Sequence, residues 1–273
     1  MTTILERIVA TKQEEVMELF RLCSIEGLRR DAEQTEPPRD FARAVTDPSE
    51  HGIQLIAELK KASPSAGVIV SNFDPVAIAR AYYLAGAAAL SVLTDRVYFQ
   101  GRLEFIREVK EAVPLPVLRK DFILDELQVY ESKVAGADAV LLIAEILSCQ
   151  AMSSLHATAR TLGMAVLVEV HDEIQLRAVL EALGPPHSDR YVLGINNRDL
   201  SRQITDLSTT SRLGKLLPAG TPFVSESGIS TTGHVARIKA AGACAMLVGE
   251  SLLRCSNIEE GARDLLRVTA CHP

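Results

Sequence analysis

Polar side chains recur where short apolar runs of this sequence end. Glu58 and Lys60 close the run at 53–59 and, being two residues apart, lie on the same face of a strand. Other runs end in Lys120, Glu169, Asn196, Arg198 and Glu226. Lysine and glutamate are rarely buried unless paired, and close opposite charges shift each other's pKa. A single residue of this kind can simply mark where a strand meets solvent. The whole set, which holds no His or Cys, predicts proton transfer by Lys and Glu.

Two loops rich in glycine and serine predict a phosphate site. They are SESGIS at 225–230 and VGESL at 248–252, each directly after an apolar run. Small residues let the main chain approach an anion closely, whereas the alternative is two ordinary turns. The segment KKASPSAG at 60–67 fits either a plain turn or a mobile lid that carries Lys60 and Ser63. His171 is expected to belong to a loop, because Glu169 already occupies the end of that run.

A repeat in the chain predicts the elements that position these residues. The segments AGAAALSVL, AGADAVLLI and AGACAMLVG begin at Ala85, Ala135 and Ala241, which are 50 and 106 residues apart. These spacings fit two and four units of about 26 residues, the size of one strand plus one helix. The glycine of each segment is the expected residue after a helix C-terminus. Strands are predicted at 53–59, 89–93, 116–119, 139–143, 165–169, 191–195, 222–225 and 245–248.

Eight strands alternating with helices predict either a closed barrel or an open doubly wound sheet. The even spacing, and the absence of GxGxxG after the first strand, favour an α/β fold of the (β/α)8 (TIM barrel) type. Its active site lies at the C-terminal ends of the strands, where the polar residues stand. Residues 1–50 are predicted to form an N-terminal helical extension packed on the barrel, through Ile4, Leu5, Ile8 and Val9 and then Val16, Leu19 and Phe20. Residues 51–273 are predicted to form the barrel.

Composition argues against several other classes. The net charge of −6 and the lack of a long Lys/Arg run disfavour nucleic-acid binding. The five cysteines, at 23, 149, 244, 255 and 271, show no CxxC or zinc spacing. The charged N-terminus lacks a continuous apolar segment, and the most apolar stretch, 134–147, contains two acids. We therefore expect a cytoplasmic protein with no metal and no membrane partner.

Eight segments together resemble the indole-3-glycerol-phosphate synthase family. They are LIAELKKASPSAG (55–67), SVLTDRVYFQG (91–101), PVLRKDFILDELQVYES (116–132), GADAVLLI (136–143), LVEVHDE (167–173), LGINNRDL (193–200), VSESGI (224–229) and LVGESLL (247–253). The resemblance implies a cofactor-independent enzyme of tryptophan biosynthesis. Its substrate would be 1-(2-carboxyphenylamino)-1-deoxyribulose 5-phosphate, which closes a ring and loses CO₂ and water to give indole-3-glycerol phosphate. The resemblance is also compatible with contacts with other enzymes of the tryptophan pathway.

The resemblance also implies a role for each matching residue. Lys120 would be the general acid on the ketone oxygen, Glu169 a base, and Lys60 a ligand of the substrate carboxylate and a second acid. Glu58, Asn196, Arg198 and Glu226 would orient these groups and the sugar. Ser63, Ser227, Gly228, Gly249 and Glu250 would surround the phosphate, and Phe122 and Leu141 the anthranilate ring. Burial and the nearby Lys60 and Arg198 are expected to lower the pKa of Lys120.

Two departures from the family pattern and two alternatives stay open. GPPHSDRYV at 184–192 is longer than expected before the sixth strand, on the stability face, and Arg102 stands where a serine is expected. The first alternative is another phosphate-binding barrel isomerase. Such an enzyme would not be expected to carry KxxSPS and LRKDF together. An inactive barrel kept as a binding partner would be expected to lack Lys120 or Glu169.

Overall fold

Eight strands form the centre of the molecule. The computed structural model describes residues 2–186, 191–199 and 204–267. The strands, labelled β1 to β8, are Gln54–Leu59, Ala89–Leu93, Val117–Lys120, Ala139–Ile143, Ala165–Val170, Tyr191–Asn196, Phe223–Glu226 and Ala245–Val248. Every predicted strand is confirmed to within one residue at each end.

The strands close into a barrel in chain order. Each is parallel to its neighbours, and β1 pairs with both β2 and β8, as in the registers of Ile56 with Ala89 and of Gln54 with Ala245. An open doubly wound sheet has two unpaired edges, so that alternative is wrong and the (β/α)8 barrel is confirmed. Two short hairpins extend from the C-terminal ends, Ala62–Ser63 with Gly67–Val68 after β1 and Arg198–Asp199 with Ile204–Thr205 after β6.

Helices follow each strand, and most of them begin after a Ser, Thr, Asp or Asn whose side chain caps the helix. In chain order α1 to α12 are Ile4–Leu22, Ile25–Gln34, Phe41–Thr46, Pro75–Leu84, Glu104–Ala112, Glu126–Val134, Cys149–Thr161, Glu173–Leu183, Ser208–Gly214, Thr232–Ala240, Glu250–Leu253 and Ile258–Leu266. The side chain of Asp74 caps α4 by accepting from the main-chain N–H of Ala77, and Pro75 opens the helix. The repeat glycines Gly86, Gly136 and Gly242 have φ of +92°, +94° and +96°, the left-handed conformation that ends a helix at low cost.

The barrel strands are buried on both faces. Alternate side chains point inward, among them Ile56, Leu118, Leu141, Leu167, Val192, Val224 and Leu247. Their neighbours along each strand pack outward against the helices. This burial explains why the strands read as continuous apolar runs in the sequence. No helix in the described ranges is long and apolar enough to span a membrane.

The three helices before β1 contact both ends of the barrel. Phe41 and Val45 of α3 are buried with the alanines that begin β2, β4, β5 and β8, so α3 closes the N-terminal end. Leu5 and Ile8 of α1 are buried at the opposite end, the mouth. Phe20, expected to pack inward, is 51% exposed. At 1.5 Å per residue, the part of α1 after Lys12 runs roughly 15 Å beyond its last buried contact.

The proline-rich stretch at 184–192 joins α8 to β6. Gly184 ends the helix and Tyr191 begins the strand, so both flanks lie on the N-terminal side of the barrel. Residues 187–190 lie outside the described residues, as do Leu200 of the GINNRDL segment and Cys271. The four cysteines within the described ranges are free thiols.

Candidate active site

A cavity of about 420 Å³ opens at the C-terminal mouth of the barrel. Every residue that the sequence assigned to catalysis or substrate binding lines it. These are Glu58, Lys60, Ser63, Lys120, Phe122, Leu141, Glu169, Asn196, Arg198, Glu226, Ser227, Gly228, Gly249 and Glu250. Residues that are up to 192 positions apart meet here because parallel strands bring all their C-terminal ends to one face.

Lys120 lies at the centre of a buried charge cluster. Its Nζ is 2.7 Å from Oε2 of Glu169 and 3.3 Å from Oε2 of Glu226. The other oxygen of Glu169 accepts a hydrogen bond of 2.9 Å from Nδ2 of Asn196. The ends of β3, β5 and β7 therefore meet at one ammonium group, and β6 is linked to it through Glu169.

The pKa of Lys120 is raised, which contradicts the expectation from the sequence. Burial lowers this pKa, but the carboxylates of Glu169, Glu226 and Glu58 outweigh burial. The expected repulsion by Lys60 and Arg198 is weak, because each is paired with an acid. Lys60 Nζ is 2.5 Å from Glu58, and Arg198 is 3.9 Å from Glu250. Lys120 therefore carries its proton at neutral pH.

The pKa values of the two carboxyl groups beside Lys120 are shifted in opposite directions. Burial raises the pKa of Glu169, but the charge of Lys120 and hydrogen bonds from Lys120 and Asn196 outweigh it and lower this pKa. Burial and the negative charge of Glu169 raise the pKa of Glu226 to about 8, despite Lys120. At neutral pH Glu169 is thus a carboxylate and Glu226 retains its proton. A pair whose pKa values are separated in this way can divide acid and base roles.

Two glycines make room for the acids of the cluster. A Cβ added at Gly194 would stand 2.1 Å from Oε1 of Glu226, and one at Gly249 would stand 2.4 Å from Oε1 of Glu58. Cβ atoms do not approach other atoms so closely, so a side chain at either position would displace the buried carboxylate from its place in the cluster. For Gly249 this steric reason is separate from the phosphate role expected from the sequence.

The loop after β7 has an unusual main-chain conformation. Ser227 and Gly228 both have positive φ, of +65° and +77°. A serine in this region carries a local strain that the surroundings must hold in place. The Nδ2 group of Asn197 does so by donating to the carbonyl oxygens of Glu226 and Ser227, at 2.9 and 3.1 Å. No sequence pattern assigned a role to Asn197, although it stands beside Asn196 in GINNRDL.

The rest of the polar wall is formed by the loops after β1, β6 and β8. Arg198 Nη1 donates to Oγ of Ser65 at 3.1 Å and thereby links the loops after β6 and β1. Ser63 is buried, and its Oγ accepts from the main-chain N–H of Ala66 at 3.2 Å. Glu250 pairs with Arg254 at 2.9 Å, so its charge is partly neutralised. Ser65 and Arg254 also line the cavity and were missed, because neither stands at the end of a strand.

The opposite wall of the cavity is apolar. Phe122 and Leu141 lie there as expected, and Ile4, Leu5 and Ile8 of α1 complete it. The sequence predicted that these α1 residues are apolar and helical, but not that they face the site. Helical periodicity identifies a buried face without identifying what covers it.

Two side chains lie away from the cavity. His171 is in the loop after β5, with Nδ1 3.5 Å from Oε2 of Glu145. Arg102 stacks over the ring of Phe105 at 4.5 Å. Within the part of the chain that the structure describes, no three His, Cys, Asp or Glu residues are grouped to hold a metal ion.

Sequence comparison finds close relatives along almost the whole chain. The family model described as indole-3-glycerol phosphate synthase matches residues 5–265. The indole-3-glycerol phosphate synthase of Desulfotalea psychrophila is 46% identical over 98% of this chain and 100% of its own length. Those of Acidithiobacillus ferrooxidans and Geobacillus thermodenitrificans are each 48% identical, over 93% and 94% of this chain and 95% and 94% of their own lengths.

Solved structures of lower sequence identity share the fold. The 3-hexulose-6-phosphate synthase of Salmonella typhimurium superposes with a TM-score of 0.63 at 16% identity, over 79% of this chain and 98% of that one. The orotidine 5'-phosphate decarboxylase of Pyrococcus horikoshii gives a TM-score of 0.57 at 14% identity, over 78% of this chain and 97% of that one. At these identities the likeness concerns the barrel alone.

Proposed function

The chain belongs to the indole-3-glycerol phosphate synthase family, and we propose that it converts 1-(2-carboxyphenylamino)-1-deoxyribulose 5-phosphate to indole-3-glycerol phosphate. The observation that carries the proposal is the position of Lys120 between Glu169 and Glu226 at the barrel mouth. The reaction needs a proton at a ketone oxygen and a base for a later deprotonation. This cluster contains a group suited to each.

The walls of the cavity match the three parts of this substrate. The anthranilate ring packs against Phe122 and Leu141 on the apolar wall. Its carboxylate is bound by Lys60. The phosphate lies among Ser63, Ser227, Gly228, Gly249 and Glu250, several of which offer main-chain N–H groups. The ketone then lies between these two ends, near Lys120.

Ring closure requires an acid at the ketone. The ring carbon that bears the carboxylate attacks the ketone carbon, and negative charge develops on the ketone oxygen. Lys120 donates its proton there as the C–C bond forms. A raised pKa suits this step, because a developing alkoxide is a stronger base than an amine. Loss of CO₂ then restores the aromatic ring.

Indole formation requires loss of water and of a proton. The hydroxyl formed at the former ketone leaves as water, with a proton supplied by Lys60, and Glu169 takes the proton from the adjacent carbon. The lowered pKa of Glu169 keeps it ionised and ready to accept that proton at neutral pH. Asn196, bonded to the second oxygen of Glu169, orients the base. Glu58, Arg198 and Glu226 orient the two lysines and the sugar hydroxyls.

The two alternatives left open by the sequence predict different behaviour. A phosphate-binding isomerase would process a sugar phosphate that lacks the carboxyphenylamino group. An inactive barrel would process neither compound, and it would have no need for the paired Lys120 and Glu169. No cofactor takes part in the proposed reaction, and contacts with other enzymes of the tryptophan pathway and a cytoplasmic location remain part of the proposal.

The direct test is turnover of the proposed substrate. The protein is incubated with 1-(2-carboxyphenylamino)-1-deoxyribulose 5-phosphate while indole absorbance and fluorescence are followed, and mass spectrometry checks that the product lacks one CO₂ and one H₂O. 1-Deoxyribulose 5-phosphate is the matched control compound, and Lys120→Met the matched control protein. We expect rapid product formation from wild type with the complete substrate, a rate at least about 10²-fold lower from Lys120→Met, and no product from the control compound. A wild-type protein that forms no indole product refutes the proposal.

A further inference from the structure

A buried lysine joins the N-terminal helix to the barrel mouth without lining the cavity. Lys12 of α1 is 2% exposed, and its Nζ lies 2.9 Å from Asp121 and 3.2 Å from Asp95. Glu15, one turn further along α1, is a third partner at 2.7 Å. Asp95 follows β2 and Asp121 follows β3, so one ammonium group connects three separate segments. Neither the sequence patterns nor the proposed reaction gives Lys12 a role.

Each of the two aspartates accepts hydrogen bonds from the main chain of a segment that lines the cavity. Asp95 Oδ1 accepts from the main-chain N–H groups of Tyr98 and Phe99, at 2.7 and 3.1 Å. Asp121 Oδ1 accepts from the N–H of Phe122 at 2.8 Å. Phe99 and Phe122 both line the cavity, with ring centroids 6.2 Å apart. The carboxylates that bind Lys12 are therefore the ones that fix these two aromatic residues.

Lys12 also fixes the position of α1 over the site. Residues four, seven and eight positions earlier lie on the same helix face, which places Ile8, Leu5 and Ile4 in line with Lys12. All three line the cavity. Thr11 adds a second link, since its Oγ1 is 3.0 Å from the hydroxyl of Tyr98.

The charges explain why a cation is needed at this position. Asp121 has a second cationic partner, Arg119, 3.1 Å from its other oxygen. Asp95 is fully buried, and among the described residues Lys12 is the cation paired with it. Without Lys12 a buried carboxylate loses its counter-ion, and two buried like charges face each other across the gap.

We propose that Lys12 is a positioning residue for the aromatic half of the substrate, which it serves by holding α1, Phe99 and Phe122 as one wall. The inference rests on the proposed function. Lys120 and Glu169 are held by contacts that do not include Lys12, so its loss weakens substrate binding and spares the chemical steps.

Three variants separate this role from a merely structural one. Lys12→Met removes the ammonium group. Lys12→Met combined with Asp95→Asn removes it together with the unpaired charge, while the amide oxygen of the new side chain keeps an acceptor for the Tyr98 and Phe99 N–H groups. Lys133→Met is the matched control. Lys133 is also buried, and it bonds to the carbonyl oxygens of Thr35 and Glu36 between α2 and α3, remote from the mouth.

The measurements are KM, kcat and melting temperature. We expect KM to rise about tenfold or more in both Lys12 variants, with kcat within about threefold of wild type. The double variant recovers melting temperature lost by Lys12→Met but keeps the raised KM. The Lys133→Met control keeps the wild-type KM. If Lys12→Met does not fold, the double variant carries the test.

Two results overturn the inference while leaving the proposed function intact. One is an unchanged KM in the Lys12 variants. The other is a double variant whose KM and melting temperature both return to wild-type values, which would mean that only the orphaned charge of Asp95 mattered. A wild-type protein that makes no indole product overturns the proposed function itself, and this inference with it.

Discussion

Replacing Glu226 by glutamine should change the unfolding free energy relative to wild type, and this change should favour the variant more at pH 8 than at pH 5. The change keeps the shape of the side chain but removes its ability to ionise. Glu226 is 1% exposed, and within the described part of the chain the cation paired with it is Lys120, at 3.3 Å. An ionised carboxylate in this position is costly, because the desolvation of the charge is only partly offset by Lys120.

The magnitude follows from the pKa of Glu226, which is about 8 in the folded protein against an ordinary value of 4.5. Below pH 4.5 Glu226 is protonated in both the folded and the unfolded protein, and its contribution to stability is fully present. Between these values the unfolded chain releases the proton while the folded protein keeps it, so stability falls as the pH rises. At roughly 1.4 kcal/mol per pH unit, wild type loses about 3–4 kcal/mol between pH 5 and pH 8 through this group.

The assay is urea unfolding of wild type and Glu226→Gln at pH 5, 6.5 and 8. Lys120 stays protonated across this range, and the pKa of about 8 already includes its attraction to ionised Glu226. The difference in unfolding free energy should therefore move in favour of the variant by about 3–4 kcal/mol from pH 5 to pH 8. Glu173→Gln, on the exposed side of α8, is the control for the substitution itself. A difference that stays constant within about 1 kcal/mol would refute the reasoning.

Three further predictions concern the reaction. Glu169→Gln should lower kcat by roughly 10²–10⁴-fold with little change in KM, and weaken the acidic limb of the pH–rate profile, because an amide cannot accept the proton. Activity within a few-fold of wild type would reduce Glu169 to an orienting role. Lys120→Met should lower kcat by at least about 10²-fold in steady-state assays, and full activity would assign the acid to another group. Gly228→Val should raise KM about tenfold or more and weaken inhibition by inorganic phosphate, since its φ is +77° and a Cβ would meet Thr205 at 2.6 Å. An unchanged KM would remove the phosphate assignment.

The positions of the strands could be predicted from the sequence because burial on both faces leaves a local pattern. A strand such as Ala139–Ile143, covered by helices outside and side chains inside, must be apolar at every position. The glycines of the repeat are equally local, since a helix that ends in the left-handed conformation favours glycine wherever it occurs. Because eight parallel strands all end on one face of the barrel, the polar residues at their C-terminal ends share that face. The residues that line the cavity could therefore be predicted.

The electrostatics of that face could not be predicted, because they depend on which charges lie next to each other. The sequence indicated lysines and an arginine near Lys120, and a lowered pKa was the wrong conclusion. In the fold, Lys60 and Arg198 are paired with Glu58 and Glu250, and the carboxylates around Lys120 decide its pKa.

The sequence by itself therefore determined the barrel and the residues at its mouth, because alternation, capping and apolar runs are local consequences of burial. Only the tertiary structure decided that α1 completes the cavity and that Lys12 joins it to Asp95 and Asp121. It also decided that Gly194 leaves space for the carboxyl group of Glu226, and that burial raises the pKa of this acid. These properties arise from distances of a few ångströms between residues far apart in the chain. Coulomb and steric energies depend on those distances, which no local pattern encodes.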